Sequence, residues 1–391
     1  MNKKLLAVMI GGALAGSIGV AQADVQLYGQ VDASIDSHTC DSGGCPKYGD
    51  TSQSGLQKGD GSQKLNMNGN FSYFGIKGAE DLGNGLKAIF NVAFTFDPAG
   101  GGGTFTHTTT QNGTFNKGGN TLTDSEKWLG VAGDFGTVRA GTVYSLYKEH
   151  GEAIDPFYGT SLSGNQGGLQ APTLTSPTFA SDFAIGGLYN RTIRYDSPDM
   201  NGLSGGAFYT MGHGTTAPLN GNGNNTGNPY GLGGQYKNDN ILAFADYVNG
   251  KIDSPQFGLN HPSGAAADDK AWDIGGQYTM GNIAMFGKYE SGGLVLLSGY
   301  KTAYIWHLGG SFKMGNSLMY AAYGQGDSKN PALSDSKTRS WTLGAKHNLS
   351  VRTSLYAGYN WNKAGTNTNP ANGPVGDIKD GHFGLGMNVK F

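Results

Sequence analysis

Apolar and polar residues alternate along many short segments of the chain, most clearly over its last eleven residues. There the even positions are small or polar, and the odd positions are Phe383, Leu385, Met387, Val389 and Phe391. A period of two is that of a β-strand with two unlike faces. Because chain ends usually fray in water, an aromatic last residue favours contact of the apolar face with lipid. Only helices and closed barrels satisfy every backbone group in lipid, so the pattern predicts a β-barrel.

The same alternation recurs elsewhere, and aromatic residues gather near the ends of the predicted strands, as in the interfacial belts of membrane barrels. Near the start of the chain, one face carries Val25, Leu27, Val31 and Ile35. Near the end, one face carries Leu355, Ala357, Tyr359 and Trp361.

Seven short segments rich in Gly and Asn predict tight turns, because these residues supply the positive φ that short hairpins require. They lie at 81–85, 133–136, 197–202, 237–240, 280–282, 314–316 and 347–350. Eight longer connections lie at roughly 37–64, 98–124, 145–187, 212–230, 249–270, 291–299, 326–337 and 363–380. Fifteen connections join sixteen strands. This predicts an all-β fold, a 16-stranded antiparallel transmembrane β-barrel with short periplasmic turns and long external loops.

The alternative is a soluble β-sandwich, which would bury the same apolar faces in a core between two sheets. A sandwich of sixteen strands does not normally need very short turns paired with long loops. The barrel is therefore the favoured interpretation.

Residues 1–23 have the layout of a secretory signal peptide. Lys3 and Lys4 give a positive start, an apolar stretch follows, and Ala21-Gln22-Ala23 is a small-residue cleavage site. A transmembrane anchor is the alternative, but the stretch is rich in Gly and no other segment approaches the ~20 apolar residues of a spanning helix. We therefore expect a signal peptide at 1–23 and a barrel domain at 24–391.

Hydropathy and charge exclude two other classes of protein. The mean hydropathy of −0.37 excludes a bundle of membrane-spanning helices. Removing Lys3 and Lys4 with the signal reduces 27 basic residues to 25 against 29 acidic ones, a net charge of −4. An acidic chain lacks the basic footprint of a nucleic-acid-binding protein.

Cys40 and Cys45 lie close together in the first long connection. In an exported protein such a pair is expected to oxidise to a disulfide. A cysteine-only metal site needs more ligands, so we expect no metal. Gly202-Leu-Ser-Gly-Gly206 fits a nucleophile motif but lies at a short turn feeding a strand, without a positioned His or acid. We therefore expect no catalytic residue, no cofactor and no enzyme activity.

Three stretches and the last residue resemble Gram-negative general porins, especially the β-proteobacterial group. The stretches are 71–90, 130–141 and 193–198, and the last residue is Phe391, in the strand that the assembly machinery would recognise. The resemblance implies a homotrimer in the outer membrane whose barrels pass ions and small hydrophilic solutes by diffusion. It also implies contact with outer-membrane lipids and lipopolysaccharide.

In the family, the third loop folds inward and narrows the pore, and its acids face a ladder of basic residues on the barrel wall. Charge clusters at a constriction are a physical basis for selectivity. Here the resemblance assigns that loop to 145–187. Its candidate acids are Glu149, Glu152, Asp155 and Asp182.

The predicted basic wall has fewer basic residues than the family pattern, since Tyr73 and Ser125 occupy two positions where Arg is usual. By strand parity, Lys127, Arg139 and Arg194 should point into the pore, with Lys77 as a fourth candidate. We therefore expect a weakly selective pore.

Two other functions fit the same barrel. A substrate-specific channel would show saturable flux through an aromatic slide or a dense binding cluster. An adhesion or surface-recognition barrel would use its long Thr- and Asn-rich loops. The favoured hypothesis is a non-catalytic channel for passive diffusion of ions and small hydrophilic solutes, which selects by size at the constriction and by charge on its two walls.

Overall fold

The structure is a computed structural model that describes residues 24–41, 63–99, 122–160, 162, 187–211, 228–249, 270–296, 299–330, 333–364, 368–369, 373–374 and 378–391. The predicted signal peptide, Cys45 and Asp182 lie outside these residues, as does the side chain of Cys40.

Almost all of the described chain is strand. The strands are β1 Asp24–Asp41, β2 Gln63–Gly69, β3 Ser72–Gly83, β4 Leu86–Phe96, β5 Thr123–Gly133, β6 Gly136–Tyr144, β7 Leu188–Asp196, β8 Leu203–Thr210, β9 Tyr230–Lys237, β10 Ile241–Asn249, β11 Lys270–Met280, β12 Ile283–Leu296, β13 Gly299–Met314, β14 Ser317–Asn330, β15 Leu333–Asn348, β16 Thr353–Ala364, β17 Thr368–Asn369, β18 Gly373–Pro374 and β19 Ile378–Lys390. The one helix in these ranges is α1, Leu146–Ala153. Within them, no helix is both long and apolar enough to cross a membrane.

Sixteen antiparallel strands form a closed barrel, as predicted. β2 and β3 together make one wall strand, interrupted at Asn70 and Phe71, and β17 and β18 form a separate small hairpin. β1 pairs with β19 on one side and with β2 and β3 on the other, which closes the sheet. The remaining wall strands each pair with their neighbours in the chain.

The seam between the two chain ends is tight. Gly29 and Phe391 exchange both backbone hydrogen bonds, at 3.2 and 3.0 Å. A Cβ atom at Gly29 would lie 2.7 Å from Cζ of Phe391 and 2.4 Å from the carbonyl oxygen of Tyr73. Glycine at this position therefore lets the terminal aromatic ring cover the seam on the outer face.

The two faces of the barrel have the predicted character. On β19 the odd side chains point outward, with Phe383, Leu385 and Met387 each 44–51% exposed in the isolated protomer. On β1 the opposite positions Asp32, Ser34 and Asp36 point inward and are buried. The apolar faces therefore surround the barrel, and the polar positions line its interior.

All seven predicted tight turns join successive strands. Two of the predicted long connections, at 291–299 and 326–337, are instead mostly strand. β12 ends at Leu296 and β13 begins at Gly299, whereas β14 ends at Asn330 and β15 begins at Leu333. The ladder continues through Gly292, opposite Ala303. A paired strand tolerates the Gly and Ser residues that suggested loops, because the partner strand supplies the hydrogen bonds.

A charged residue on the outer face should destabilise the barrel far more than the same residue inside. Leu308 is 59% exposed on the outer face of β13, whereas Ser311 lies on the inner face of the same strand. We expect Leu308→Arg to lower the free energy of unfolding in lipid vesicles by about 2–4 kcal/mol, and Ser311→Arg to change it little. Equal costs in a urea titration would contradict the face assignment.

Candidate functional site

The third long connection, loop 3 (145–187), begins with a capped helix inside the barrel. The Ser145 side chain accepts a hydrogen bond from the backbone N–H of Lys148 at 3.2 Å, which caps the N-terminus of α1. Glu149 lies in the first turn, where a negative charge suits the helix dipole. The chain therefore turns into a helix directly at the end of β6.

One side of α1 is bound to acidic side chains on the inner face of β10 and β12. Nδ1 of His150 lies 2.8 and 3.0 Å from the two carboxylate oxygens of Asp246. The hydroxyl of Tyr147 donates to Glu290 at 2.8 Å, and Nζ of Lys288 lies 3.2 Å from the same carboxylate. Burial raises the pKa of Tyr147 well above its usual value, so the hydroxyl keeps the proton that it donates.

The other side of the helix is bound to arginine on β7. Arg194 donates to Glu149 at 2.6 Å, to Asp196 at 2.8 Å and to the backbone oxygen of Tyr144 at 2.6 Å. Arg139 on β6 donates to the second oxygen of Asp196 at 2.7 Å. Two arginines and two carboxylates thus form one network, whose formal charges cancel.

A lysine inside the loop holds the helix to the segment that follows it. Lys148 contacts Glu152 one turn later and donates to the hydroxyl of Tyr158 at 2.6 Å. Burial lowers the pKa of Lys148 to about 7, and the carboxylates of Glu149 and Glu126 act in the opposite direction. Lys148 is therefore sensitive to pH near neutrality.

Beyond the helix, loop 3 packs against inward aromatic and aliphatic side chains of the barrel wall. The loop contributes Ile154, Phe157 and Leu162, all fully buried. The ring centroid of Phe157 lies 5.0 Å from that of Tyr320 and 6.4 Å from that of Tyr356. This apolar cluster fixes the loop to β14 and β16, on the side of the barrel away from Arg194.

The described part of loop 3 ends at the interruption between β2 and β3. The backbone N–H of Phe71 donates to the carbonyl oxygen of Gly159 at 2.9 Å. Gly159 has φ +77°, and a Cβ there would lie 2.9 Å from Cβ of Phe71. Since the described part of loop 3 contacts β7, β10, β12, β14, β16 and this interruption, this part spans the lumen and narrows it.

The structure places several of the predicted constriction residues inside the barrel but in contact with one another. Arg139 and Arg194 point inward as parity predicted, and Glu149 lies against Arg194 rather than across an open gap. Asp155 caps its own turn by accepting from the backbone N–H of Phe157 at 2.9 Å. Lys77 faces inward, with Nζ 5.0 Å from the ring centroid of Tyr28.

The prediction that Lys127 points into the pore was wrong, because Lys127 shares its face with Leu129 and Val131, which point outward, and a β-bulge separates it from Ser125. Val92 pairs with Lys127 and Phe94 with residue 124, so β5 carries one extra residue there. Ser125 and Glu126 both contact Tyr144 within the lumen, at 3.3 and 3.2 Å. Lys127 therefore lies on the outer face, with Nζ 5.4 Å from the ring centroid of Phe94.

A row of three acidic residues, two of which bind α1, was not recognised from sequence as a group. Asp246, Asp273 and Glu290 lie at directly paired positions of β10, β11 and β12, on the inner face. Strand parity could have identified this row, since each acid follows or precedes an outward aromatic residue: Tyr247, Trp272 and Tyr289. The alternation of residues could not predict that Asp246 contacts His150 or that Glu290 contacts Tyr147.

Comparison with protein families and curated sequences gives consistent matches. A family model described as Gram-negative porin matches residues 6–367. The chain is 28% identical over 270 residues to the major outer membrane protein P.IA of Neisseria meningitidis serogroup C, over 68% of this chain and 58% of that protein. It is 30% identical over 245 residues to P.IB of Neisseria lactamica, over 62% and 57%. The alignments thus span little more than half of these curated relatives.

Two solved structures share the fold. An anion-selective porin from Comamonas acidovorans has a TM-score of 0.69 at 22% identity, over 94% of this chain and all of that one. A trimer form of OmpT, an outer membrane protein of Vibrio cholerae, has a TM-score of 0.61 at 13% identity, over 94% and 99%. At these identities the likeness concerns the fold alone.

Removing the Arg194 guanidinium should weaken the attachment of loop 3. Arg194→Gln leaves Glu149 and Asp196 without their shared cation, and we expect the free energy of unfolding to fall by about 2–3 kcal/mol. This is below the usual cost of breaking a buried pair, because Glu149 is 35% exposed. Arg352→Gln, in an exposed turn, is the control.

A double-mutant cycle separates the ion pair from a general effect of the substitution. Arg194→Gln combined with Glu149→Gln should cost less than the sum of the two single changes, because each single change leaves a partner unpaired. Strictly additive costs would contradict a direct interaction between the two side chains.

Proposed function

Because the chain belongs to the Gram-negative porin family, we propose that it forms a water-filled outer-membrane channel through which ions and small hydrophilic solutes diffuse passively. The observation that carries the proposal is the closed sixteen-stranded barrel with an apolar outer face, a polar inner face and a loop spanning the lumen. Barrels of this size leave an aqueous interior that loops narrow. Movement down a gradient needs no cofactor and no catalytic residue.

The proposed selection is by size at loop 3, with only weak selection by charge. Arg139 and Arg194 are each paired with a carboxylate, so they add little net field to the remaining opening. Glu152 is likewise paired, with Lys148. Lys77 is exposed to the lumen and is the member of the proposed basic wall best placed to act on passing ions. A role for Asp182 remains a proposal from the family resemblance.

The proposed assembly is a homotrimer embedded in outer-membrane lipid. The support is that one protein of the same fold has a solved trimer form. Contacts with lipopolysaccharide and recognition of the terminal strand, including Phe391, by the barrel-assembly machinery belong to the same proposal. The outward position of the Phe391 ring is compatible with it.

Single-channel recording tests the channel directly. In planar bilayers, the purified protein should produce stepwise, ohmic conductance in triplets and flux that does not saturate with solute concentration. Correctly folded protein without conductance would overturn the proposal. Saturable flux would instead indicate a substrate-specific channel.

A pair of lysine substitutions tests which face each residue occupies. Lys77→Gln should move the reversal potential in a salt gradient toward cation preference, because it removes a positive charge from the lumen. Lys127→Gln removes the same charge from the outer face and should leave the potential unchanged. The opposite pattern would contradict the assignment of Lys77 to the lumen and of Lys127 to the outer face.

A further inference from the structure

Four aromatic side chains form a continuous column inside the barrel, starting at loop 3. The ring centroid of Tyr158 in loop 3 lies 6.1 Å from that of Phe71, at the interruption between β2 and β3. The centroid of Phe71 lies 5.3 Å from that of Tyr73 on β3, and the centroid of Tyr73 lies 6.0 Å from that of Tyr28 on β1. We call these four residues the aromatic column.

The column ends at a lysine on the side of the tight turns. Nζ of Lys77 lies 5.0 Å from the ring centroid of Tyr28. Tyr28 pairs in register with Gly75, and a Cβ atom at Gly75 would lie 2.8 Å from Cε1 of the Tyr28 ring. The lack of a side chain at Gly75 therefore gives Tyr28 the room to contact both Tyr73 and Lys77.

The rings of the column remain accessible from the lumen. All four aromatic residues are partly exposed, and Lys77 is exposed. In this they differ from the apolar cluster around Phe157, whose central residues are buried and hold loop 3 in place. Because the column starts where loop 3 narrows the lumen, a solute that passes loop 3 comes within reach of these rings.

We propose that the aromatic column and Lys77 form a weak binding site for small aromatic carboxylates that pass through the lumen. An aromatic ring gains from offset or edge-to-face contact with another ring, and a carboxylate pairs with an ammonium group. Since Tyr28 contacts both Tyr73 and Lys77, a ligand of one ring and one carboxylate can reach a ring of the column and the ammonium together. The site rests on the proposed channel for access of the ligand, but binding itself does not require conduction.

The surroundings of Lys77 leave its charge available to a ligand. Its partners in register are neutral, Gln26 on β1 and Asn91 on β4. Lys77 forms no ion pair with any residue that the structure describes. Asp24 lies on the same face, opposite Ala79 and two residues further toward the tight turns, where it is exposed and screened by water.

A second charge beside the column acts against an anionic ligand. Glu126 on β5 accepts a hydrogen bond from the backbone N–H of Tyr144 at 3.2 Å and interacts electrostatically with Tyr28. Lys77 should therefore attract an aromatic carboxylate, and Glu126 should repel it. Removing these two charges should change the affinity in opposite directions, which ring contacts alone would not produce.

The test measures binding of sodium benzoate to folded protein in detergent by ligand-observed NMR, with protein-free micelles as the blank. Acetate has the charge without the ring, and benzamide has the ring without the charge. Tyr73→Leu removes one ring of the column. Tyr278→Leu makes the same change on the outer face of β11, where Tyr278 is 46% exposed. Heat-modifiable gel mobility shows that each variant is folded.

We expect millimolar binding of benzoate, with acetate and benzamide at least about threefold weaker. Tyr73→Leu should weaken benzoate binding by about two- to tenfold, the range for one aromatic pair, and Tyr278→Leu should not change it. Lys77→Gln should weaken benzoate binding by about two- to fivefold, and Glu126→Gln should strengthen it by a similar factor. Neither charge substitution should change the binding of benzamide.

Three results would overturn the site. Unchanged benzoate binding in the Tyr73→Leu variant would remove the role of the column. Equal binding of benzoate and benzamide would remove the role of Lys77. Binding of maltose that Tyr73→Leu weakens, without binding of benzoate, would assign the column to sugars.

Conductance separates a failure of this site from a failure of the channel. Ohmic conductance in potassium chloride without benzoate binding would overturn the site and leave the channel. Benzoate binding by folded protein that does not conduct would support the site and overturn the channel. In planar bilayers, benzoate should briefly interrupt the ion current through the unaltered protein more often than through the Tyr73→Leu variant. The flux of solutes outside this class should remain proportional to their concentration.

Discussion

The backbone pairing between the first and last strands is the interaction on which the rest of the structure depends. β1 and β19 pair in register from Gln30 with Lys390 to residue 41 with Lys379. An open sheet edge in lipid would leave a row of N–H and C=O groups without partners, at a cost of several kcal/mol each. Closure removes both edges, and it also creates the enclosed interior that loop 3 enters.

Inside that interior, charge pairing fixes the loop. Arg194 on β7 binds Glu149 of α1, and one of the carboxylates on β10 and β12, Asp246, binds His150 of α1. The apolar cluster around Phe157 then holds the following segment against a further part of the wall. The same acids and arginines that would create a transverse field across an open gap are used here as attachments. Size therefore dominates charge in the proposed selection.

The alternation of residues was sufficient to predict the barrel and its two faces, because a period of two translates directly into side-chain direction. The tight turns were predicted from their Gly and Asn residues. The alternation was not sufficient where the ladder is irregular. The bulge at Ser125 and Glu126 puts Ser125 and Lys127 on opposite faces although they are two residues apart, and the backbone of Phe71, at the interruption of the wall strand, binds loop 3. Such irregularities depend on the partner strand or on a distant loop, which a single strand's pattern does not contain.

The side-chain contacts within the lumen could also not be predicted from the sequence. Parity placed Arg139 and Arg194 inside correctly, but their shared partner Asp196 follows from side-chain reach in three dimensions. The acidic residues of loop 3 could be listed from the sequence. The wall residue that each of them contacts depends on the path of the loop.

A disulfide across the seam tests closure of the barrel most directly. Val31 and Val389 are paired in register, two residues from the hydrogen-bonded pair of Gly29 and Phe391. Their Cα atoms should be about 5.5 Å apart, within the range for a disulfide. In membranes, the variant with Val31→Cys and Val389→Cys should form a bond that links peptides from the two chain ends, whereas Val31→Cys with Leu385→Cys should not. Free thiols in the first variant, or equal linkage in both, would contradict the closed barrel.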